Sequence, residues 1–123
     1  VDVRLLVPRH SDARLVDYAG RSYYDELLGR GVRIWQYEPR MLHAKALLVD
    51  SDLAMVGTAN FDPRSFRLNF EVALAVYDPE FATRLGTQIL ADMEEARQVK
   101  QPRRLGFFRR LGEAIARLFS PLL

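Results

Sequence analysis

The chain has 123 residues, 49% of them hydrophobic and 28% charged, with a formal net charge of +2. That suffices for one domain with a real core and makes disorder unexpected. The absence of cysteine excludes disulfides, a thiolate nucleophile and cysteine-based zinc sites, and leaves the composition compatible with a reducing compartment. The two histidines, His10 and His43, are far apart and neither belongs to a His-x3-His or carboxylate-rich pattern, so no metal site and no cofactor are expected. The opening VDVRLLVP lacks an initiator methionine and reads as a strand entered from an upstream connection, so the chain is expected to be a fragment. No apolar run approaches the roughly 20 residues that span a bilayer, and any membrane attachment is expected to be interfacial or upstream.

Val3 to Val7 is a short apolar run closed by Pro8, the pattern of a buried strand, followed by the polar loop Arg9-His10-Ser11-Asp12. From Asp12, the predicted N-cap, to Leu28, the residues Leu15, Val16, Ala19, Tyr23, Leu27 and Leu28 recur at helical spacing. This is one amphipathic helix, interrupted if anywhere at Gly20 and stopped by Gly29 or Gly31. Alternation from Val32 to Tyr37 marks the next strand, and strand, helix, strand favours a parallel crossover. Leu42 to Val49 and Leu53 to Val56 form a predicted hairpin turned at Ser51-Asp52, whose far end carries Gly57-Thr58-Ala59-Asn60. Phe61 to Leu68 is a loop or short helical turn, and Asn69 to Tyr77 is an apolar strand containing Glu71. Asp78-Pro79-Glu80 supplies an N-cap, an N1 proline and a first-turn acid in order. The helix it opens carries Phe81, Leu85, Gln88, Ile89 and Met93 on one face as far as about Val99. After Gln101-Pro102 comes a basic tail with Arg103, Arg104, Arg109, Arg110 and Arg117 and a helical stripe of Leu105, Phe108, Leu111, Ile115, Leu118 and Phe119. The expected class is α/β, a mixed sheet flanked by helices.

The residues that point to chemistry are His43, Lys45 and Asp50, an H-x-K-x4-D spacing followed by Gly57, Thr58 and Asn60. On a strand, side chains two apart point the same way with Cα atoms roughly 6 to 7 Å apart, so His43 and Lys45 can grip one phosphate. The imidazole can attack phosphorus or move a proton near neutral pH, and the ammonium neutralises the non-bridging oxygens. Asp50 has the opposite parity, which suggests support and not direct chemistry. Thr58 and Asn60 alone would read as turn residues; beside His43 and Lys45 they read as part of a phosphate site. Glu71 is a lone acid in an apolar run that wants a partner, either an arginine such as Arg64 or Arg67 or a histidine that it orients. His10 reads as a solvated loop residue. The aromatics Tyr23, Tyr24, Trp35, Phe61, Phe66 and Phe70 are core by default, with an acyl-chain groove as the alternative.

These residues resemble the phospholipase D superfamily, whose signature H-x-K-x4-D-x6-G-[ST]-x-N is matched by His43, Lys45, Asp50, Gly57, Thr58 and Asn60. By average residue usage, H-x-K-x4-D alone arises by chance in roughly one chain in a hundred of this length; the three further positions lower that by orders of magnitude. GRSYYDELLGRGVRIWQYEP before the motif, GTANFDPRSFRLNFEV across it, YDPEF after it and RLFSPLL at the end are similar to the C-terminal half of bacterial cardiolipin synthases. The resemblance implies a phospholipase D-like catalytic half-domain over residues 1–100 and a basic amphipathic tail over 101–123, forming one half of a pseudo-twofold fold. It implies a phosphatidyltransferase that makes cardiolipin from two phosphatidylglycerols through a phosphohistidine, with a second motif supplied by the same full-length chain or another subunit. In that scheme His43 is general acid and then general base, Lys45 and Asn60 hold phosphate oxygens beside the Thr58 hydroxyl, and Glu71 hydrogen-bonds a catalytic histidine.

The implied location is the bacterial cell membrane, peripheral in this part of the chain. The tail is read either as a helix lying on anionic lipid or as a helix packed on the domain with solvated arginines. Two alternatives stay open: a nuclease or phosphodiesterase working as a homodimer, and an inactive half exposing a pairing surface. Nucleic acid is not expected as a partner, because the excess positive charge lies in a phenylalanine-bearing tail and not around the motif.

Overall fold

Two short strands side by side begin the fold: β1 (Arg4–Pro8) runs parallel to β2 (Arg33–Tyr37), pairing Leu5 with Ile34 and Val7 with Gln36. The computed structural model describes residues 1–10, 14–60, 62–100, 103 and 105–119. They divide into two units, Val1–Leu42 with Glu95–Leu123, and His43–Glu94. The expected N-cap Asp12 lies outside the described residues.

In the first unit the crossover from β1 to β2 is helical, as its apolar period requires, but it is made of two helices, α1 (Arg14–Ser22) and α2 (Tyr24–Gly29). The break falls at Tyr23 and not at Gly20. There the Ser22 hydroxyl donates back to the Ala19 carbonyl at 2.6 Å, and the Tyr23 amide bonds Gly20 in a tightened turn at 3.2 Å. Gly31, at φ +86°, takes the left-handed conformation that ends α2. Ile34, fully buried, and Tyr37 form the centre of the unit with Ala19 and Tyr24.

A third strand was not foreseen. The long helix expected to reach Val99 ends at Glu94, and β6 (Ala96–Gln98) pairs antiparallel with β2, aligning Arg97 with Gln36. The Val99 amide then donates to the Ile34 carbonyl at 2.9 Å. The open edge of β2 offers backbone partners that a further turn of helix could not reach, and this tertiary pairing overrides local propensity.

The tail helix α5 (Phe107–Phe119) packs on α1, and it does so by its small face. A Cβ on Gly112 would lie 3.6 Å from the Tyr18 ring, and Ala116 is buried. The apolar stripe points away: Phe108 is 85% exposed and Leu118 77%. Arg103 fastens the helix. It donates to Glu113 at 2.7 Å and to the Arg21 carbonyl at 2.8 Å, and stacks 5.3 Å above the Tyr24 ring. Arg117 does the same with Glu26 at 3.1 Å and the Tyr23 ring at 4.3 Å. Two of the tail's cations are therefore structural, which the sequence did not reveal.

The second unit is an antiparallel sheet of β3 (Ala46–Val49), β4 (Leu53–Gly57) and β5 (Ala73–Tyr77) in the order β3-β4-β5. The expected strand 69–77 thus begins at Ala73. Between β4 and β5 lies α3 (Pro63–Arg67). Then α4 (Pro79–Glu94) starts where the Asp78-Pro79-Glu80 pattern put it, Asp78 Oδ1 accepting the Glu80 amide at 2.8 Å. It covers one sheet face, burying Ala54 and Ala82 and setting Leu48 against Gly86. Residues of the other parity, Leu47, Val49 and Tyr77, are 53%, 41% and 78% exposed. The class is α/β, with its strands divided between two three-stranded sheets flanked by helices.

Removing one member of a buried ion pair strands the other charge. Arg103 and Glu113 side chains are each 8% exposed, so Arg103→Met should lower unfolding free energy in urea by about 3–5 kcal/mol. Arg103→Met with Glu113→Leu should recover most of it; equal loss in both variants would show that the pair does not secure α5.

Candidate active site

His43 and Lys45 stand just before β3 and not within it, since the regular strand starts at Ala46. The ladder nevertheless extends to Lys45, whose carbonyl accepts the Gly57 amide at 3.0 Å. Lys45 therefore keeps strand parity with exposed Leu47 and Val49. Its ammonium folds back to the His43 carbonyl at 2.8 Å, holding the cation against the exposed His43 residue.

Gly57, opposite Lys45, is glycine for a steric reason. A Cβ there would lie 2.4 Å from the Val72 carbonyl oxygen and 2.9 Å from the Ala73 Cα, distances that β5 could relieve only by moving away. One residue on, the Thr58 amide donates to Val72 at 2.9 Å and the Thr58 hydroxyl accepts the Val72 amide at 3.0 Å. The same hydroxyl donates to Glu71 at 2.5 Å. Asn69 reaches the other carboxylate oxygen at 3.4 Å. Those bonds hold the Glu71 carboxyl below its ordinary value: the Thr58 hydroxyl is the main cause, Ser65 and Asn69 assist, the Lys45 charge adds to them, and desolvation opposes.

Glu71 has partners that its sequence did not suggest. Among the described residues it accepts hydrogen bonds from Thr58 and Asn69, and from neither Arg67 nor His43; the side chain of Arg64 lies outside the description. Asp50 is not brought to the site. It opens the β3–β4 turn at φ +53°, at the other end of the strand, roughly 16 Å from Lys45 at strand rise. Asn60 is exposed, and its amide donates to the Ser65 hydroxyl at 3.1 Å. Ser65, buried at 6% exposure, was not anticipated. Its signal was present: Asp62 before Pro63 is the capping arrangement seen again at Asp78-Pro79, and Asp62 Oδ1 accepts the Ser65 amide at 2.7 Å. The aromatics divide: Tyr24 is buried, whereas Phe66 and Phe70 are 63% and 106% exposed; Phe61 lies outside the described residues.

One end of the β3–β4–β5 sheet therefore carries His43, Lys45 and Asn60 close in sequence to a Glu71 carboxylate fixed by the Thr58 hydroxyl. Such a set can bind an anion and transfer a proton, and it holds one histidine where a displacement through a covalent histidine needs two. Among the described residues no group of three or more His, Cys, Asp or Glu is placed to hold a metal ion.

Fold and motif together define an α/β domain of phospholipase D type. A crystal structure of a phospholipase D family member, Nuc from Salmonella typhimurium, superposes with a TM-score of 0.65 at 18% identity, over 82% of this chain and 66% of that one. The family described as cardiolipin synthase, PLD-like domain matches residues 1–93, and the chain belongs to it. Cardiolipin synthase 2 of Bacillus anthracis is 48% identical over all of this chain, and cardiolipin synthase of Geobacillus kaustophilus 45%. The chain spans 24% and 25% of those two relatives, about a quarter of their length.

A group with a depressed folded pKa stabilises the fold above its ordinary value, about 4.3 for glutamate, and that contribution is lost as pH falls through the lowered folded value. Thr58→Val removes the main cause, so the Glu71 carboxyl, followed by carbon NMR, should titrate at higher pH than in the parent. The acid limb of stability should move upward with it, and an unchanged midpoint would contradict the Thr58 assignment.

Proposed function

We propose that this chain is the part of a cardiolipin synthase that supplies its second H-x-K-x4-D motif, catalysing phosphatidyl transfer between two phosphatidylglycerols. The carrying observation is the Lys45–Gly57 and Thr58–Val72 ladder, which sets Lys45, Thr58 and Glu71 at one sheet end beside His43. Membership of the cardiolipin synthase family supports the choice of substrate.

In the first step a histidine from the partner motif attacks phosphorus, the bond from phosphorus to the glycerol headgroup oxygen breaks, and His43 gives that oxygen a proton. In the second, the terminal hydroxyl of another phosphatidylglycerol loses its proton to His43 and attacks the same phosphorus, releasing the first histidine. Cardiolipin and glycerol result, and both histidines return to their starting states. Lys45 and Asn60 hold the non-bridging oxygens as charge builds on them. Thr58 and Ser65 act one step back, fixing Glu71. Asp50 shapes the hairpin turn. The uncovered face with Leu47, Val49 and Tyr77, continuous with Lys45, suits pairing with the other half.

In the full-length enzyme, His43→Ala should cut cardiolipin formation from labelled phosphatidylglycerol vesicles by at least about a hundredfold with the fold intact by circular dichroism. Activity within a few-fold of the parent would remove His43 from the mechanism. Phosphatidic acid as sole product of the parent would instead mark a hydrolase.

The outward stripe of α5 supports an interfacial role at anionic lipid, with Arg110 on the same helix near lipid phosphates. Each buried phenylalanine is worth about 1.5–3 kcal/mol. Phe107→Ser with Phe108→Ser should therefore weaken sedimentation with phosphatidylglycerol vesicles at least about tenfold, and undiminished binding would assign the stripe to a protein contact.

A further inference from the structure

The first unit contains a basic cavity that uses none of the motif residues. Its volume is about 210 Å³, and its walls carry Arg9, Arg21, Arg97, Arg103 and Arg109 against one carboxylate, Glu113. These arginines come from the loop after β1, from α1, from β6, from the segment before α5 and from α5 itself, and Arg97 and Arg109 are exposed. Convergence of like charge in a concave site is costly unless an anion compensates it.

Internal partners account for only part of the charge. Arg9 pairs with Glu38, Arg103 with Glu113, and Arg21 donates to the Arg9 carbonyl. The side chains of Arg97 and Arg109 have neither a hydrogen bond nor a carboxylate partner among the described residues, yet both residues line the cavity. Arg97 is held there by backbone pairing with Gln36, another wall residue. Arg103, its side chain 8% exposed, forms a desolvated cationic wall.

We infer that this cavity binds a phosphate group, taken between Arg97 and Arg109. Guanidinium forks match phosphate oxygens with paired donors, and two unpartnered forks facing one cavity supply the charge that a phosphomonoester or phosphodiester carries. The volume is below the roughly 300–1,000 Å³ of sites for drug-sized ligands, which fits a phosphate with a small substituent and not a nucleotide. A lipid headgroup and a free phosphate share this chemistry. The inference does not rest on the transferase reading, since no residue of the motif takes part.

The test uses the full-length protein carrying His43→Ala and Lys45→Ala, which weakens phosphate binding at the motif. Calorimetric titration with inorganic phosphate, with and without Arg97→Gln and Arg109→Gln, should show at least a tenfold loss of affinity in the doubly substituted cavity. Arg97→Gln alone should give an intermediate loss, which keeps the test open if the double variant folds poorly. Equal affinity with and without the substitutions overturns the proposal, whatever cardiolipin assays report. Monomeric dihexanoyl phosphatidylglycerol, titrated in the same way, identifies the source. Tighter binding than inorganic phosphate, lost with the two arginines, means a lipid headgroup; equal or weaker binding, equally lost, means a free phosphate or small phosphoester.

Discussion

At Gly57 the backbone of β5 passes so close to β4 that the Val72 carbonyl occupies the place where a side chain would begin, with 2.4 Å left for a Cβ. That approach sets the register of the sheet end on which the site stands. On one side of Gly57 it aligns Lys45, whose carbonyl takes the Gly57 amide; on the other it lets Thr58 close a two-bond pair with Val72 and reach Glu71. A one-residue slip would turn every one of these side chains to the opposite face. The glycine of the signature is thus a packing requirement whose consequence is chemical.

The carboxylate it positions is held by neutral donors. A hydroxyl, a buried serine and an amide keep Glu71 ionised without taking up the Lys45 ammonium. Lys45 instead rests on a backbone carbonyl, a weaker partner than a carboxylate. The cation consequently retains its charge for an anion, which a direct salt bridge to Glu71 would have neutralised.

A division of the same kind runs through the arginines of the first unit. Arg103 and Arg117 combine an ion pair with an aromatic face and fasten α5 to the helices before it, through the small side of that helix. Gly112 and Ala116 permit the approach, and the bulky stripe is turned outward because Phe108 and Leu118 could not enter so narrow a contact. Arg97 and Arg109, chemically identical to the others, are left facing a cavity. Charge counts cannot separate these roles, because what differs is the neighbour and not the residue.

Short-range physics made much of this chain readable in advance. The H-x-K spacing, the glycine and threonine beyond it, the Asp78-Pro79-Glu80 cap and the strand-helix-strand opening all depend on residues within a few positions of one another, and such signals survive without tertiary information. Asp50 was assigned to support by parity alone, and the positive φ of the hairpin turn agrees with it. Contacts distant in sequence decided the rest. β6 exists because β2 had an open edge 60 residues earlier in the chain. Glu71 accepts a bond from Thr58, 13 residues earlier, and the apolar stripe of α5 faces outward, whereas the helix break at Tyr23 is local, made beside a hydroxyl of its own last turn. Periodicity tells which residues share a face; only the packed partners determine which face is buried, since the free energy of burial depends on what lies opposite.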